Sequence, residues 1–498
     1  MNFKLNKLVL ASLTGSFLLG FGASAMADST FDLVQALVTK GVLTEEEALP
    51  LLKGRENDIQ LADKKVKKAA KLSVSDAIDS ATLYGDVRVR YEARSGTGPT
   101  STTSGNVDEQ RDRARYKVTL GVKTEAGDWY GDLALAMGAN GRSDNATFGK
   151  AAQSNINDKE TLFVKRAMIG WKATDWLSLE AGRMNNPLYT TPMVWDADLN
   201  FEGLAEKLTY KVNDADFFAT AAQAEYQGDR KNFSTTGDTV TTEFFAFQGG
   251  VKYAFNDHTN SKVALTYTTY NHNTKGGAGS KFTPGLSNQG AGASASAALN
   301  QTTGALVLTP ASAGYQINAF GVNDLDTIEI PAEANFYMND SSIGLKLFGD
   351  YVYNTSGSDR AEAAALAVPA NAAAIRAAGN DDTAWMLGVG IGSAKDFKSF
   401  DSGKMVKGDW SARIWYQDVG VYSVDPNAVD SDFMDSRVNT KGVVLKGQYN
   451  FTDNVYTNLA YGHARRKNSA LGTAGAANDI ALNWNDLDLL QLDLTYKF

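Results

Sequence analysis

Charged side chains at alternate positions are the residues of this chain best placed to act on a solute. Six basic residues recur in two neighbouring segments, namely Arg88, Arg90, Arg94, Arg113, Arg115 and Lys117. Alternate residues of a β-strand share one face about 7 Å apart, so each set would form a column. A later segment gathers carboxylates with an aromatic ring, namely Trp195, Asp196, Asp198 and Glu202. Opposed basic and acidic rows would create a transverse field that favours small polar solutes over apolar ones.

The other reactive residue types give little support for catalysis or metal binding. The chain has no Cys, and its three His residues (His258, His272 and His463) lack metal-ligand spacing. An enzymatic nucleophile needs a base within hydrogen-bond reach, and no Ser lies in a GxSxG context. We therefore predict no enzyme, no metal and no cofactor. The net charge of -9 and the pI of about 5.1 argue against nucleic acid as a partner.

The basic columns lie in segments with two-residue alternation. In 82–94, Leu83 and Tyr91 share one face, whereas Arg88 and Arg90 share the other. A soluble core excludes the charged face, and a bilayer penalises each Arg near its midplane by roughly 2–4 kcal/mol. The charged face must therefore line water. The same alternation continues to Phe498, the last residue, where soluble chains are usually frayed and polar.

Sixteen segments of this kind follow one another from residue 81, and they predict the fold class. We expect an all-β protein, a transmembrane antiparallel β-barrel of about 16 strands over 81–498. The strands are predicted near 82–94, 110–125, 129–139, 160–173, 176–184, 201–212, 215–226, 242–255, 260–272, 327–338, 342–354, 382–393, 407–420, 439–451, 455–467 and 485–498. Tight turns alternate with long polar connections such as 95–109, 227–241 and 421–438. That asymmetry is typical of bacterial outer-membrane barrels.

The first 80 residues differ from the strand-rich remainder. Lys4 and Lys7 precede an apolar run and the small residues at 23–27, which predicts a signal peptide over 1–27. The alternative, a membrane anchor helix, is disfavoured because the run is short and carries polar residues. Residues 28–80 are predicted to form a periplasmic helical segment. It is either a solvated linker helix or a coiled-coil stalk that trimerises or meets the peptidoglycan.

One long connection, within 182–204, differs in chemistry from the others. It is rich in aromatic and apolar residues where the others are rich in Gly, Ser, Thr and Asn. We predict that it folds inward as a pore-constriction loop and holds Asp196, Asp198 and Glu202 near the lumen, with Trp195 limiting its mobility. The basic columns would face it from the wall as pore-lining residues. In the alternative interpretation, these charges only solvate the lumen and neutralise one another.

Three parts of the chain resemble the putative porins of Gram-negative bacteria. They are Gly182-Arg183-Met184-Asn185-Asn186-Pro187 with the following Trp195-Asp196 and Glu202-Gly203-Leu204, the helical opening at 31–52 with its core Gly41-Val42-Leu43-Thr44-Glu45-Glu46-Glu47, and the terminal Tyr496-Lys497-Phe498. The resemblance covers the whole mature chain. It implies a general porin of the outer membrane, often a homotrimer, with Phe498 in the signal that the barrel-insertion machinery recognises.

These observations together predict passive diffusion of small hydrophilic solutes and ions through a water-filled channel in the outer membrane. The expected surroundings are outer-membrane lipid and lipopolysaccharide, with residues 28–80 in the periplasm and possible contact between them and the peptidoglycan. An alternative from another class is a plugged barrel that acts as an adhesin or as a scaffold for surface proteins.

A second acidic segment allows two interpretations. Asp425, Asp430, Asp432 and Asp435 could hold Ca²⁺, but their spacing lacks the glycine and the terminal Glu of a calcium loop. We therefore favour a solvated acidic loop on the outer side of the barrel.

Overall fold

The computed structural model describes residues 77–101, 105–138, 143–149, 160–231, 239–273, 297–299, 306–308, 325–338, 343–358, 372–377, 381–393, 406–425, 428–434, 437–468 and 484–498. The predicted signal peptide and nearly all of the predicted periplasmic segment lie outside these residues. So does Asp435. Among the described residues, no helix is long and apolar enough to cross a membrane.

The fold is built from antiparallel strands in chain order. They are β1 (Ser80–Ser101), β2 (Gly105–Ala126), β3 (Trp129–Gly138), β4 (Ala146–Thr147), β5 (Thr161–Thr174), β6 (Leu177–Asn185), β7 (Asn200–Val212), β8 (Ala215–Lys231), β9 (Thr239–Asn256), β10 (Thr259–Asn273), β11 (Ala297–Leu299), β12 (Leu306–Leu308), β13 (Asp326–Glu329), β14 (Ala332–Tyr337), β15 (Gly344–Asn354), β16 (Thr383–Gly392), β17 (Trp410–Val419), β18 (Thr440–Asn450), β19 (Val455–Arg466) and β20 (Asp486–Lys497). A short helix, α1, spans Ala372–Ala377.

The sheet closes on itself because the first strand pairs with both the second and the last. β1 pairs with β2 from Ser80–Glu125 upward, and with β20 from Asp86–Lys497 to Thr97–Asp486. The two-residue strand β4 pairs with β2 alone and adds no strand to the barrel. Strands β11 and β12 form a separate two-stranded sheet. Strands β13 and β14 together occupy one place between β10 and β15. The result is a closed antiparallel barrel of 16 strands. The predicted fold class is confirmed.

The inner and outer faces follow the predicted alternation. Large apolar side chains are exposed on the outside, as Leu83 at 52% and Ile169 at 62% illustrate. Charged side chains of the same strands point inward and are buried against one another, as Arg90 at 4% and Glu92 at 0% illustrate. An outer face of this composition suits lipid, and the polar inner face suits water.

Two of the predicted long loops are largely strand. Residues 95–109 continue the β1–β2 pairing as far as Ser101–Gly105, with one irregularity in register, and residues 227–241 continue β8 and β9. The prediction failed here because polar residues such as Ser, Thr and Gly were counted as loop formers. Outside the membrane band, strands need no apolar face, so polar sequence pairs equally well there.

Aromatic rings on the inner wall lie flat over glycines of the neighbouring strand. Tyr84 stands opposite Gly121, and Tyr130 stands opposite Gly170. A Cβ atom at either glycine would overlap the tyrosine ring. The absence of a side chain there lets each ring lie against the wall instead of across the lumen, which keeps this part of the barrel wide.

Candidate functional site in the barrel lumen

The connection between β6 and β7 enters the lumen and binds the far wall. We call residues 186–199 the constriction loop. At its tip, the Tyr189 amide donates to Gln248 Oε1 and Gln248 Nε2 donates to the Tyr189 carbonyl, both at 2.8 Å. The hydroxyls of Thr190 and Thr191 donate to Glu329 and Asp350 on the strands beyond. The predicted inward fold of this loop therefore appears in the structure.

Trp195 holds the returning half of the constriction loop. Its ring centroid lies 5.0 Å from that of Phe201 and 5.3 Å from that of Phe244, both on the barrel wall. Met193 is buried beside it at 2% exposure. Aromatic packing of this kind contributes beyond simple area burial, and it gives the loop a fixed seat.

A second loop also enters the lumen, which the sequence analysis did not predict. We call its described residues, 421–425 and 428–434, the partner loop. Its main chain pairs with the constriction loop, since Asp430 N donates to Pro192 O at 3.0 Å and Asp196 N donates to Ala428 O at 2.6 Å. Its Ser431 amide donates to Asp196 Oδ2 at 3.0 Å.

The prediction of a solvated outer loop is wrong because this segment carries its own apolar side chains. Val421, Tyr422, Val424 and Val429 are buried, and the ring of Phe433 lies 6.2 Å from that of Trp415 on the wall. Among the described residues, no group of three or more His, Cys, Asp or Glu side chains is placed to hold a metal ion.

The basic columns of β1 and β2 surround one buried carboxylate. Glu92 accepts from Arg113 Nε at 2.7 Å and from Arg94 Nε at 3.1 Å, and Arg115 Nη1 lies 3.7 Å from it. Gln491 Nε2 donates to its other oxygen at 2.9 Å. Three members of the predicted basic columns therefore share one negative charge from within the wall.

The lumen loops supply further carboxylates to the same columns. Arg90 Nη1 donates to Asp432 of the partner loop at 2.8 Å, and Lys117 Nζ donates to Asp198 of the constriction loop at 3.2 Å. Arg88 Nη1 lies 3.6 Å from Asp493 on β20. These contacts favour the alternative interpretation, in which the opposed charges neutralise one another. The acidic and basic rows touch, because each loop docks directly on the basic wall.

Glu202 does not belong to this cluster. It lies on β7, between Phe201, which faces the lumen, and Leu204, which is exposed on the outside. It is paired in register with Arg183 and forms an ion pair with it on the outer face. The prediction that Glu202 lines the constriction is wrong because the strand begins at Asn200, and alternation turns Glu202 outward.

Four carboxylates of the two loops experience opposite electrostatic environments. The pKa of Asp196 is raised to about 6 by burial and by the negative charges of Asp198 and Asp432. Burial, Asp196 and Asp432 raise the pKa of Asp430 well above its ordinary value. Burial opposes ionisation of Asp198 and Asp432 as well, but Lys117 and Lys165 lower the pKa of Asp198, and Arg90 and Arg88 lower that of Asp432.

Below the constriction loop, toward the short turns, the wall is polar and open. A cavity of about 850 Å³ lies against β2, β3, β5, β6 and β7. Its lining includes Lys123, Tyr130, Lys172, Glu180 and Lys207.

Comparison with known proteins gives the family of the chain. The family model described as putative porin matches residues 92–498. The chain belongs to this porin family. Comparison with curated protein sequences gives no match.

Three solved structures are similar to this porin over most of its length. The outer membrane channel DcaP of Acinetobacter baumannii has a TM-score of 0.40 and 11% identity, covering 85% of this chain and 99% of that one. The anion-selective porin from Comamonas acidovorans has a TM-score of 0.41 and 11% identity, covering 84% and 99%. Salmonella typhi OmpF in complex with daunomycin has a TM-score of 0.41 and 12% identity, covering 85% and 99%.

The family and the closed barrel together make this porin a channel-type protein. Its lumen contains the predicted basic columns with Trp195, Asp196 and Asp198. Reasoning from sequence missed the partner loop, although its apolar residues at 421–424 and 433–434 are the same signal that identified the constriction loop.

Proposed function

We propose that this porin forms a water-filled channel in the outer membrane for passive diffusion of small hydrophilic solutes and ions. The observation that carries the proposal is the closed 16-strand barrel with an apolar outer face and a charged inner face. Such a wall is stable only with lipid outside and water inside. No chemical step and no cofactor are needed for this activity.

Size selection would arise at the level of the two lumen loops. The constriction loop contacts the wall through Tyr189 at Gln248 and through Trp195 at Phe244, and the partner loop lies against it. We propose Trp195, Asp196 and Asp198 as the residues that shape the narrow section. Solutes that pass this section would enter the wider polar region at the short-turn end.

The assembly and surroundings follow the same proposal. The channel would act as a homotrimer embedded in outer-membrane lipid and lipopolysaccharide, with its N-terminal segment in the periplasm near the peptidoglycan. Phe498 would take part in recognition by the barrel-insertion machinery. In the folded barrel, its amide and carbonyl pair with Gly85 at 3.0 and 2.9 Å, so recognition would precede closure of the sheet.

The test is uptake by liposomes that contain the purified, folded protein. Liposomes in isotonic sugar solutions should swell at rates that fall steeply from arabinose to raffinose, while liposomes with heat-unfolded protein should not swell. Equal exclusion of every sugar and of small ions by folded protein would contradict the proposal.

One observation favours a second candidate, a plugged barrel that serves as a scaffold. The two lumen loops share an apolar core with the wall that includes Met193, Trp195, Phe433 and Met434. If this core filled the whole cross-section, folded protein would give neither swelling nor ion current. The same liposome experiment therefore separates the two functions.

A further inference from the structure

Two pairs of basic side chains face each other across neighbouring strands on the inner wall. Lys252 of β9 stands directly opposite Lys262 of β10, and Arg413 of β17 stands directly opposite Lys446 of β18. Like charges at opposed positions destabilise a sheet unless something else compensates them. Their presence in the lumen therefore requires a reason.

The position of these side chains in the lumen is fixed by their neighbours. Lys252 shares its face with Gln248, which binds the constriction loop, and Lys262 Nζ lies 3.8 Å from the ring centroid of Tyr189 in that loop. Arg413 lies over the ring of Trp415, which contacts Phe433 of the partner loop. Each pair thus lies within four residues of the short-turn end of its strands, just below a lumen loop.

The basic columns of β1 and β2 contain opposed basic residues whose positive charge is offset by nearby carboxylates. Arg88 stands opposite Lys117, and Arg90 stands opposite Arg115. These pairs receive carboxylates at ion-pair distance, from Asp493 and Asp432 on the β1 side and from Glu92, Asp144 and Asp198 on the β2 side.

The lysines of the two lower pairs are compensated only at longer range. In the part of the chain that the structure describes, no carboxylate lies within ion-pair distance of Lys252, Lys262 or Lys446. Asp216 stands opposite Lys252 and Glu333 stands opposite Lys262 in register, but these carboxylates form their ion pairs with Lys211 at 3.7 Å and with Lys346 at 2.9 Å. Asp430, Asp432 and Asp493 act on Lys446 from beyond that distance, while Arg413 opposes its charge.

We propose that these two pairs bind small anions and make the channel anion-selective. The inference rests on the proposed channel function and adds the class of solute to it. Chloride and small carboxylates share the required chemistry, a single compact negative charge with room for two ammonium or guanidinium donors. Ammonium groups on the lumen wall raise the local concentration of anions and disfavour cations. The predicted Arg columns contribute less because carboxylates at ion-pair distance offset much of their charge.

The test is the reversal potential of single channels in a potassium chloride gradient, repeated with potassium acetate. Wild-type protein should show chloride crossing faster than potassium. Lys252→Gln with Lys262→Gln should lower the chloride-to-potassium permeability ratio by roughly twofold or more, and Lys446→Gln should lower it independently. Lys252→Arg with Lys262→Arg should keep the ratio, which shows that charge is the cause.

The matched control is Lys441→Gln, because Lys441 lies on the same strand as Lys446 but on the outer face with Val443. It should leave the permeability ratio unchanged. A cation-selective wild type, or a ratio unaffected by both glutamine variants in folded protein, would overturn the inference while leaving the channel function intact. Absence of any current from folded protein would instead overturn the channel function and the inference with it.

Discussion

Arg90 of the barrel wall and Asp432 of the partner loop form an ion pair at 2.8 Å in which Arg90 is 4% exposed. Arg90 also binds Asp493 through two hydrogen bonds, of 2.7 and 2.9 Å. The guanidinium thus joins β20, the last strand of the barrel, to the partner loop. The positive charges of the basic columns would otherwise repel one another. Through Arg90, one of these columns holds the partner loop against the wall.

The Arg90–Asp432 pair yields the first prediction. Asp432→Asn should weaken the seat of the partner loop by roughly 1–3 kcal/mol, since Arg90 keeps Asp493 but loses one charged acceptor. Single-channel conductance should rise, because the loop spends more time away from the wall. Asp488→Asn is the control, as Asp488 binds His463 and Tyr461 on the outer face. An unchanged conductance in Asp432→Asn would show that the pair does not hold the loop.

The second prediction concerns the aromatic seat of the constriction loop. Trp195→Ala removes a ring that is 7% exposed and contacts Phe201 and Phe244, at a cost of about 3–5 kcal/mol to the packing of the loop. Liposomes with this variant should admit larger sugars than wild type. Trp385→Ala, which removes an exposed outward ring, should not change the size limit. Equal size limits for wild type and Trp195→Ala would place the constriction elsewhere.

The third prediction is a pH dependence of the contact between the two lumen loops. The pKa of Asp196 is raised from its ordinary 3.8 to about 6, so the docked arrangement holds a proton that free loops release. Docking is therefore most stable below the ordinary pKa and loses stability as pH rises through the window up to about 6. Conductance should increase as pH rises through that window.

Asp196→Asn tests the assignment of this pH dependence. The amide still offers an oxygen to the Ser431 amide but cannot ionise. Its conductance between pH 4 and pH 7 should therefore vary less than that of wild type. A variant with the full wild-type dependence would assign the titration to another group.

The fourth prediction concerns the glycines beneath the wall tyrosines. Gly170→Ala places a Cβ against the ring of Tyr130 and should destabilise the barrel by roughly 1–3 kcal/mol. The temperature at which the folded form disappears on unheated gels should fall. Gly249→Ala is the control, since no atom lies within 4 Å of the Cβ position there. Adding Tyr130→Ala to Gly170→Ala should recover part of the loss, and no recovery would refute the steric explanation.

Alternation in the sequence was sufficient to predict the barrel but not every side chain's direction. It placed Arg88 and Arg90 inward correctly, because lipid on one side and water on the other leave only one acceptable register. It was not applied to Glu202, which was assigned to the constriction loop although it lies in the predicted strand 201–212, where it shares the outer face with Leu204 and pairs with Arg183.

The lumen loops show a different limit. The constriction loop was predictable from its own apolar residues, whereas contacts between two loops 230 or more residues apart, such as Asp196 with Ser431, leave no local signal. The same holds for ion pairing. The sequence shows where Lys252 and Lys262 lie, but only the closed barrel shows that they face each other while the Arg columns meet carboxylates.

The most direct test of the account is the single-channel current of folded protein in planar bilayers, compared between wild type and the double variant Trp195→Ala with Asp432→Asn. The account predicts discrete current steps for wild type and larger steps for the double variant. In that variant, both lumen loops lose contacts that hold them against the wall, so the water-filled channel is wider. Folded wild-type protein that gives no steps, or a double variant with steps of wild-type size, would contradict it.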